Sequence, residues 1–145
     1  MSRNKPLSAM PAKRNPDMNP PIRADAFLAR LQRLILEGKL AQAEQEAVRL
    51  LEKCPWDAHL HLTYADILRA QQRWGGAARA YASAAELGLP QADMAWRYAG
   101  LAYQNARESA GALYAYQRAL RLDPLDWDVM ANLIPLHSQL HAAHP

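Results

Sequence analysis

From residue 24 onward, small and bulky apolar side chains recur at spacings of three and four among polar ones, the period of helices that bury one face. Alanine is abundant and β-branched residues are scarce, so summed propensity favours helix along this whole stretch, and no segment reads as a strand. Sliding the sequence against itself exposes a repeat. Phe27, His61, Trp96 and Met130 fall on one register, with successive offsets of 34, 35 and 34. Leu31, Ala65, Gly100 and Ile134 form a second row, and Leu34, Leu68, Tyr103 and His137 a third on the same helix. On a second helix Ala43, Ala77 and Ala112 align, then Ala47, Tyr81 and Tyr116, then Leu50, Ala84 and Ala119; Pro55, Pro90 and Pro124 close the units. The one extra residue falls between Ala84 and Pro90, where Leu87-Gly88-Leu89 offers a turn with glycine at the helix end.

A period of this length means stacked supersecondary units. Three are expected, at about 24–57, 58–92 and 93–126, followed by a half unit over 127–143 that caps the stack, giving seven helices in one domain over 23–145. Two helices approach closely only where a side chain is small, so Ala43, Ala65, Ala77, Gly100 and Ala112 mark the crossings. Phe27, Tyr81, Trp96, Tyr103 and Tyr116 fill the gaps between them, and His61 substitutes for a bulky packing residue. On the capping helix Trp127, Met130, Leu133, Ile134 and Leu140 are expected to face the third hairpin, with Asn132, Ser138, Gln139, His141 and His144 outward. Pro135 predicts a kink near 131–135 or two shorter helices.

The set Trp96, Gly100, Tyr103, Ala112, Tyr116, Ala119 and Pro124 resembles the tetratricopeptide repeat signature, and the resemblance covers about 120 of the 145 residues. The second unit keeps Ala65, Leu68, Ala77, Tyr81, Ala84 and Pro90. The first departs further, with Leu31 in place of the small residue, Ala47 in place of the aromatic and Leu50 in place of the later alanine, although Gly38 stands at the turn between its helices. The resemblance implies an all-α, right-handed superhelix of three helical hairpins plus a C-terminal capping helix, with a concave wall lined by the first helix of each hairpin. It implies a protein–protein interaction module that holds a peptide or protein segment in that groove. Projecting the periodicity onto the wall leaves Asp25, Leu28, Gln32, Ile35, His59, Leu62, Asp66, Arg69, Met94, Arg97, Leu101, Gln104 and Asn105 free for a partner. The apolar members would accept anchors, while Arg69 and Arg97 would meet carboxylates.

Two variants of that reading stand beside it. Dedicated chaperones of type III secretion translocators are similar in size and fold, and a structural or regulatory subunit would self-assemble through its repeat ends. Members of the family that grip the acidic C-terminus of heat-shock proteins use cationic and amide side chains at places occupied here by Leu28, Gln32, Asp66, Arg97 and Leu101. Only Arg97 fits, and Asp66 repels, which argues against that specificity.

Charge sharpens the picture once it is located. Residues 1–22 carry Arg3, Lys5, Lys13 and Arg14 against Asp17, the whole formal excess of +3, and the other 123 residues balance 13 basic with 13 acidic side chains. The repeat region offers a polyanion no general attraction, so nucleic-acid binding is disfavoured. With Pro6, Pro11, Pro16, Pro20 and Pro21 and no periodic apolar face, 1–22 is expected to be a disordered tail. No apolar run near the start suits a secretory signal and none approaches a membrane span. Cys54, the single cysteine, suits a reducing compartment, so a cytoplasmic protein is expected.

Chemistry is sparse. His137, His141 and His144 share a helical face at metal-binding spacing without a further ligand nearby, and His59 and His61 point apart. Asp123, Asp126 and Asp128 surround a helix start as capping groups. No phosphate loop, nucleophile elbow or paired-cysteine spacing occurs, so no catalytic residue, cofactor or metal is assigned and no enzyme is expected.

Overall fold

The computed structural model describes residues 24–143; the 1–22 segment, His144 and the side chain of Asp25 lie outside what it describes. Among these residues seven helices follow one another: α1 (Ala24–Leu36), α2 (Leu40–Lys53), α3 (Ala58–Ala70), α4 (Trp74–Glu86), α5 (Ala92–Asn105), α6 (Ser109–Leu122) and α7 (Trp127–Ala143). Among the described residues there is no strand. Each helix packs on its neighbours in sequence and α1 also reaches α3, so the hairpins α1–α2, α3–α4 and α5–α6 stack side by side with α7 against the last. The result is an all-α solenoid.

The turns inside the hairpins share one geometry. Gly38, Gln72 and Arg107 stand at equivalent places and all have positive φ, at 77°, 61° and 62°. At each, two backbone N–H groups return to carbonyls of the preceding helix: Gly38 to Ile35 and Lys39 to Leu34, Gln72 to Arg69 and Arg73 to Leu68, Arg107 to Gln104 and Glu108 to Tyr103. This double bond pattern satisfies carbonyls a helix end leaves orphaned, at the cost of a left-handed residue. Only the first unit uses glycine there. Between hairpins, Asp57 and Asp126 begin the next helix by accepting the N–H groups of Leu60 and Val129, each at 3.1 Å.

The core falls into two clusters. One runs from α3 to α7 around Trp96, Tyr81 and Tyr116; the other joins α1 and α2 to α3 through Leu31, Leu34, Ala43, Ala47, Leu60 and Ile67. Tyr64 packs against both. In the third hairpin a Cβ on Gly100 would fall inside the contact surface of the fully buried Tyr116 ring, and one on Gly111 would come 2.7 Å from Tyr103. The first hairpin reverses the volumes, with a buried Leu31 on α1 and a buried Ala47 on α2.

Several packing expectations need correction. Phe27 is 39% exposed, since α1 is the outermost described helix at its end of the stack, whereas Tyr103, though half buried, packs on the core as expected. His61 is no core substitute; its Nε2 donates to the Pro55 carbonyl at 2.7 Å, tying α3 to the preceding turn. α7 turns a different face inward from the expected one. Val129 and Leu136 are buried and Leu133 packs beside them, whereas Trp127 and Ile134 are 71% and 68% exposed. Met130 and Leu140 are half buried, and Asn132 lies half buried beside the Tyr116 hydroxyl and not outward. Asp126 sets this register by capping the helix at Val129, while Ile134 sits in the row that would meet a following helix. α7 also runs unbroken through Pro135, because Ala131, whose carbonyl loses its bond to the ring, faces water with the proline.

Gly100→Ala is expected to destabilise. Helix propensity favours alanine by about 1 kcal/mol, but overpacking against a wedged ring costs about 1–3 kcal/mol, so thermal melting should fall by a few degrees; an unchanged or raised midpoint would overturn this crossing. Arg107→Gly should act oppositely. Relief of a left-handed side chain gains about 1–2 kcal/mol against about 0.4–1 kcal/mol of added unfolded-state entropy, a net gain that denaturant titration can read.

Candidate partner-binding groove

The second helices of the hairpins occupy one side of α1, α3 and α5, and the remaining side of these first helices carries the candidate groove. The C-terminal ends of α1 and α3 border a cavity of about 540 Å³, lined by Gln32, Ile35, Leu36, Asp66, Arg69 and Ala70. Four expected groove residues, Gln32, Ile35, Asp66 and Arg69, therefore share one hollow. Leu36 and Ala70 were missed; each is the last residue of its helix, where periodicity weakens as a guide. Leu36 is 88% exposed, and Ile35 is half buried with its other side against the core cluster of α1, α2 and α3.

The polar rim of the cavity is wired to the core. Asp66 accepts from the Tyr81 hydroxyl at 2.5 Å and lies 3.5 Å from Arg69. Burial, and then the Asp66 carboxylate, push the Tyr81 phenol far above its ordinary range. Arg69 also lies over the Tyr98 ring at 5.3 Å, and Arg97 approaches that ring at 5.8 Å. Tyr98 thus links the cavity to α5. It escaped sequence reasoning because Trp96, two positions earlier, carries the repeat row, and nothing in the row marks the opposite face. Arg97 is held by Asp126 at 3.4 Å, so the same aspartate caps α7 and neutralises a groove cation.

The other expected residues are more dispersed. Gln104 accepts from the Tyr116 hydroxyl. Leu28 and Leu62 are half buried with parts of their surface against the core clusters. His59, Met94, Leu101 and Asn105 lie on α3 and α5 outside the cavity lining, with Leu101 38% exposed. Of the thirteen expected groove residues, none of the twelve whose side chains are described is fully buried.

No reactive constellation accompanies the groove. Cys54 is buried, and that burial, reinforced by Asp57, raises its thiol pKa, so the thiolate is disfavoured. The His137 and His141 rings lie with centroids 4.6 Å apart and planes tilted by 48°, yet among the described residues no three His, Cys, Asp or Glu side chains gather as a metal site. Among those residues no helix is long and apolar enough to cross a membrane.

No protein-family model and no curated protein matches the chain. Solved structures do. The first tetratricopeptide domain of Spaghetti (RPAP3), bound to an HSP90 peptide, superposes with a TM-score of 0.68 at 18% identity, covering 82% of this chain and 94% of that one. The second such domain of human RPAP3, in complex with an HSP70 peptide, gives 0.67 at 20% identity over 85% of this chain and 98% of that one. The Yersinia enterocolitica type III secretion translocator chaperone SycD gives 0.61 at 16% identity, covering 97% of this chain and 93% of that one. The chain has the tetratricopeptide repeat fold, a right-handed superhelix of helical hairpins.

The buried tyrosines give a pH prediction. Burial pushes Tyr116 up to about 12, with a bond involving Asn132 pulling the other way, and Tyr81 lies higher still. A phenol whose folded pKa exceeds the ordinary value of 10.0 contributes stability that is complete below pH 10 and is lost as pH rises toward the folded value. Ultraviolet titration should therefore show Tyr81 and Tyr116 unionised near pH 10 in the folded protein, with unfolding setting in above it. All six tyrosines titrating together near 10 would sink this assignment.

Proposed function

We propose that this protein is an interaction module that holds a segment of another polypeptide on the face formed by α1, α3 and α5, with an apolar anchor of the partner seated between α1 and α3. The observation that carries the reading is the cavity itself. It is large enough for one bulky side chain, its wall includes Ile35, Leu36 and Ala70, and Gln32, Asp66 and Arg69 supply orienting groups at its margin. An exposed leucine beside such a hollow favours association over solvation.

The heat-shock peptides held by the RPAP3 domains do not transfer readily to this chain. Of the places where the resemblance puts peptide-gripping side chains, only Arg97 is cationic here, and Asp126 already engages it. Asp66 stands at the cavity with its charge shared between Arg69 and Tyr81. The partner segment that fits is apolar at its anchor and close to neutral overall. The likeness to SycD across nearly the whole of both chains supports, as a second reading, a chaperone for a secreted partner. A cytoplasmic location and the lack of catalysis belong to both readings, as does indifference to nucleic acid, which accords with the charge balance of residues 23–145.

Affinity capture with the full chain, followed by mass spectrometry and a binding titration of the captured partner, tests the proposal. Leu36→Glu should weaken that binding by about 30-fold, the loss of a hot-spot contact of about 2 kcal/mol, with circular dichroism and melting unchanged because Leu36 touches little of the core. Undiminished binding by a folded Leu36→Glu protein would place the partner elsewhere.

A further inference from the structure

We propose that His137 and His141 on α7 form a two-imidazole chelate for a divalent transition-metal ion that prefers right-angled coordination, Cu²⁺ or Ni²⁺. The proposal is independent of the groove reading, since the pair stands on α7 and the cavity lies between α1 and α3. His137 and His141 are four residues apart on one continuous helix, so their side chains leave the same face one above the other. Both are exposed, and the 4.6 Å between their ring centroids makes them the one pair of histidine rings brought together among the described residues. His59 and His61 stand two apart on α3, and the Nε2 of His61 is engaged by the Pro55 carbonyl.

The separation selects the ion. A metal held by an imidazole nitrogen at about 2.0–2.1 Å lies about 3.2 Å from the ring centroid. Two rings sharing it have centroids about 4.5 Å apart for a right angle at the metal and about 5.2 Å apart for a tetrahedral one. The observed 4.6 Å corresponds to the right angle, which belongs to tetragonal and octahedral sites and so to Cu²⁺ or Ni²⁺ before Zn²⁺. Imidazole nitrogen is a donor these ions favour, whereas Mg²⁺ and Ca²⁺ take oxygen. Each exposed ring turns about a broad terminal torsion, which lets the two lone pairs meet at one point from the observed tilt of 48°. Among the described residues no third His, Cys, Asp or Glu joins the pair, so water completes the coordination. Affinity then comes from the second imidazole being held beside the first, which makes its binding intramolecular. A chelate across one turn also clips that turn, stabilising α7 beyond Pro135.

Isothermal titration of the full chain with Ni²⁺ in a non-coordinating buffer is expected to show one saturable site per chain, and no saturable binding would overturn the proposal. His137→Asn and His141→Asn should each weaken Ni²⁺ binding by about 10–100-fold, because either change leaves a single imidazole and removes the chelate. Both side chains are exposed, so circular dichroism should report the parent fold in each variant. Undiminished Ni²⁺ binding by either folded variant would refute the pair. His59→Asn and His144→Asn are the controls and should bind Ni²⁺ as the parent does; a loss in one of them equal to that of His141→Asn would put the site elsewhere. As an independent arm, the same titration with Zn²⁺ should give weaker binding, and Zn²⁺ held more tightly than Ni²⁺ would overturn the right-angled geometry.

Discussion

Everything in this molecule depends on how closely the two helices of a hairpin can cross. That distance is set by the combined volume at one point, not by either residue alone. The third hairpin places no side chain at Gly100 and a full tyrosine at 116, and the second uses Ala65 with Tyr81, both buried in the same cluster. The first exchanges the roles, with Leu31 on α1 and Ala47 on α2. Each solution leaves the crossing residues buried, and in a close-packed interior a void or an excess methyl group is felt at once. What looks like erosion of the repeat signature in the first unit is thus a conserved volume divided differently between the helices.

The crossings also organise the groove. Because Tyr81 and Tyr116 fill the crossings from the second helices, their hydroxyls emerge near the opposite face, where Asp66 and Gln104 receive them. Groove side chains on α3 and α5 are therefore tied to the core through buried phenols. Asp66 is shared between Tyr81 and Arg69, and Arg97 between Asp126 and the Tyr98 ring, so the charges of the face are largely spent within the protein. The remaining capacity for recognition lies in shape and apolar surface near Ile35 and Leu36. Exposed ion pairs of this kind contribute little to stability, but they do decide which partner charges will be attracted.

Much of the fold was legible in the chain because period and offset are properties of sequence. The rows through Ala65, Gly100, Ala77, Ala112, Tyr81 and Tyr116 report burial directly, since each helix of a hairpin turns the same face to its mate in every unit. The candidate groove was legible only in part. Periodicity gives the face on which Gln32, Ile35, Asp66 and Arg69 lie, yet it does not say that they share a cavity, which depends on how α1 and α3 from different hairpins are placed. Leu36, Ala70 and Tyr98 were invisible for a related reason: the first two end helices, and the third lies off the repeat row and gains its meaning from Arg69 in the preceding unit. His61 misled because its row favours bulky packing residues, whereas the Pro55 carbonyl offers its imidazole a polar partner at the edge.

The same reasoning explains why α7 defied its expected orientation. A row position implies burial only when the mate that covers it is present, and extending the Leu31, Ala65, Gly100 row to Ile134 assumed a mate that no described helix provides. Contact with α6 is governed by a different stripe, Val129, Leu133 and Leu136, which is the face a first helix turns toward the preceding hairpin. A repeat sequence therefore encodes two interfaces on every first helix, one backward along the stack and one across its own hairpin. On α7 the backward interface is filled and the crosswise one is left with Trp127 and Ile134 in water. Apolar side chains in those places lower the solubility of an isolated end, where a terminal repeat ordinarily carries polar residues.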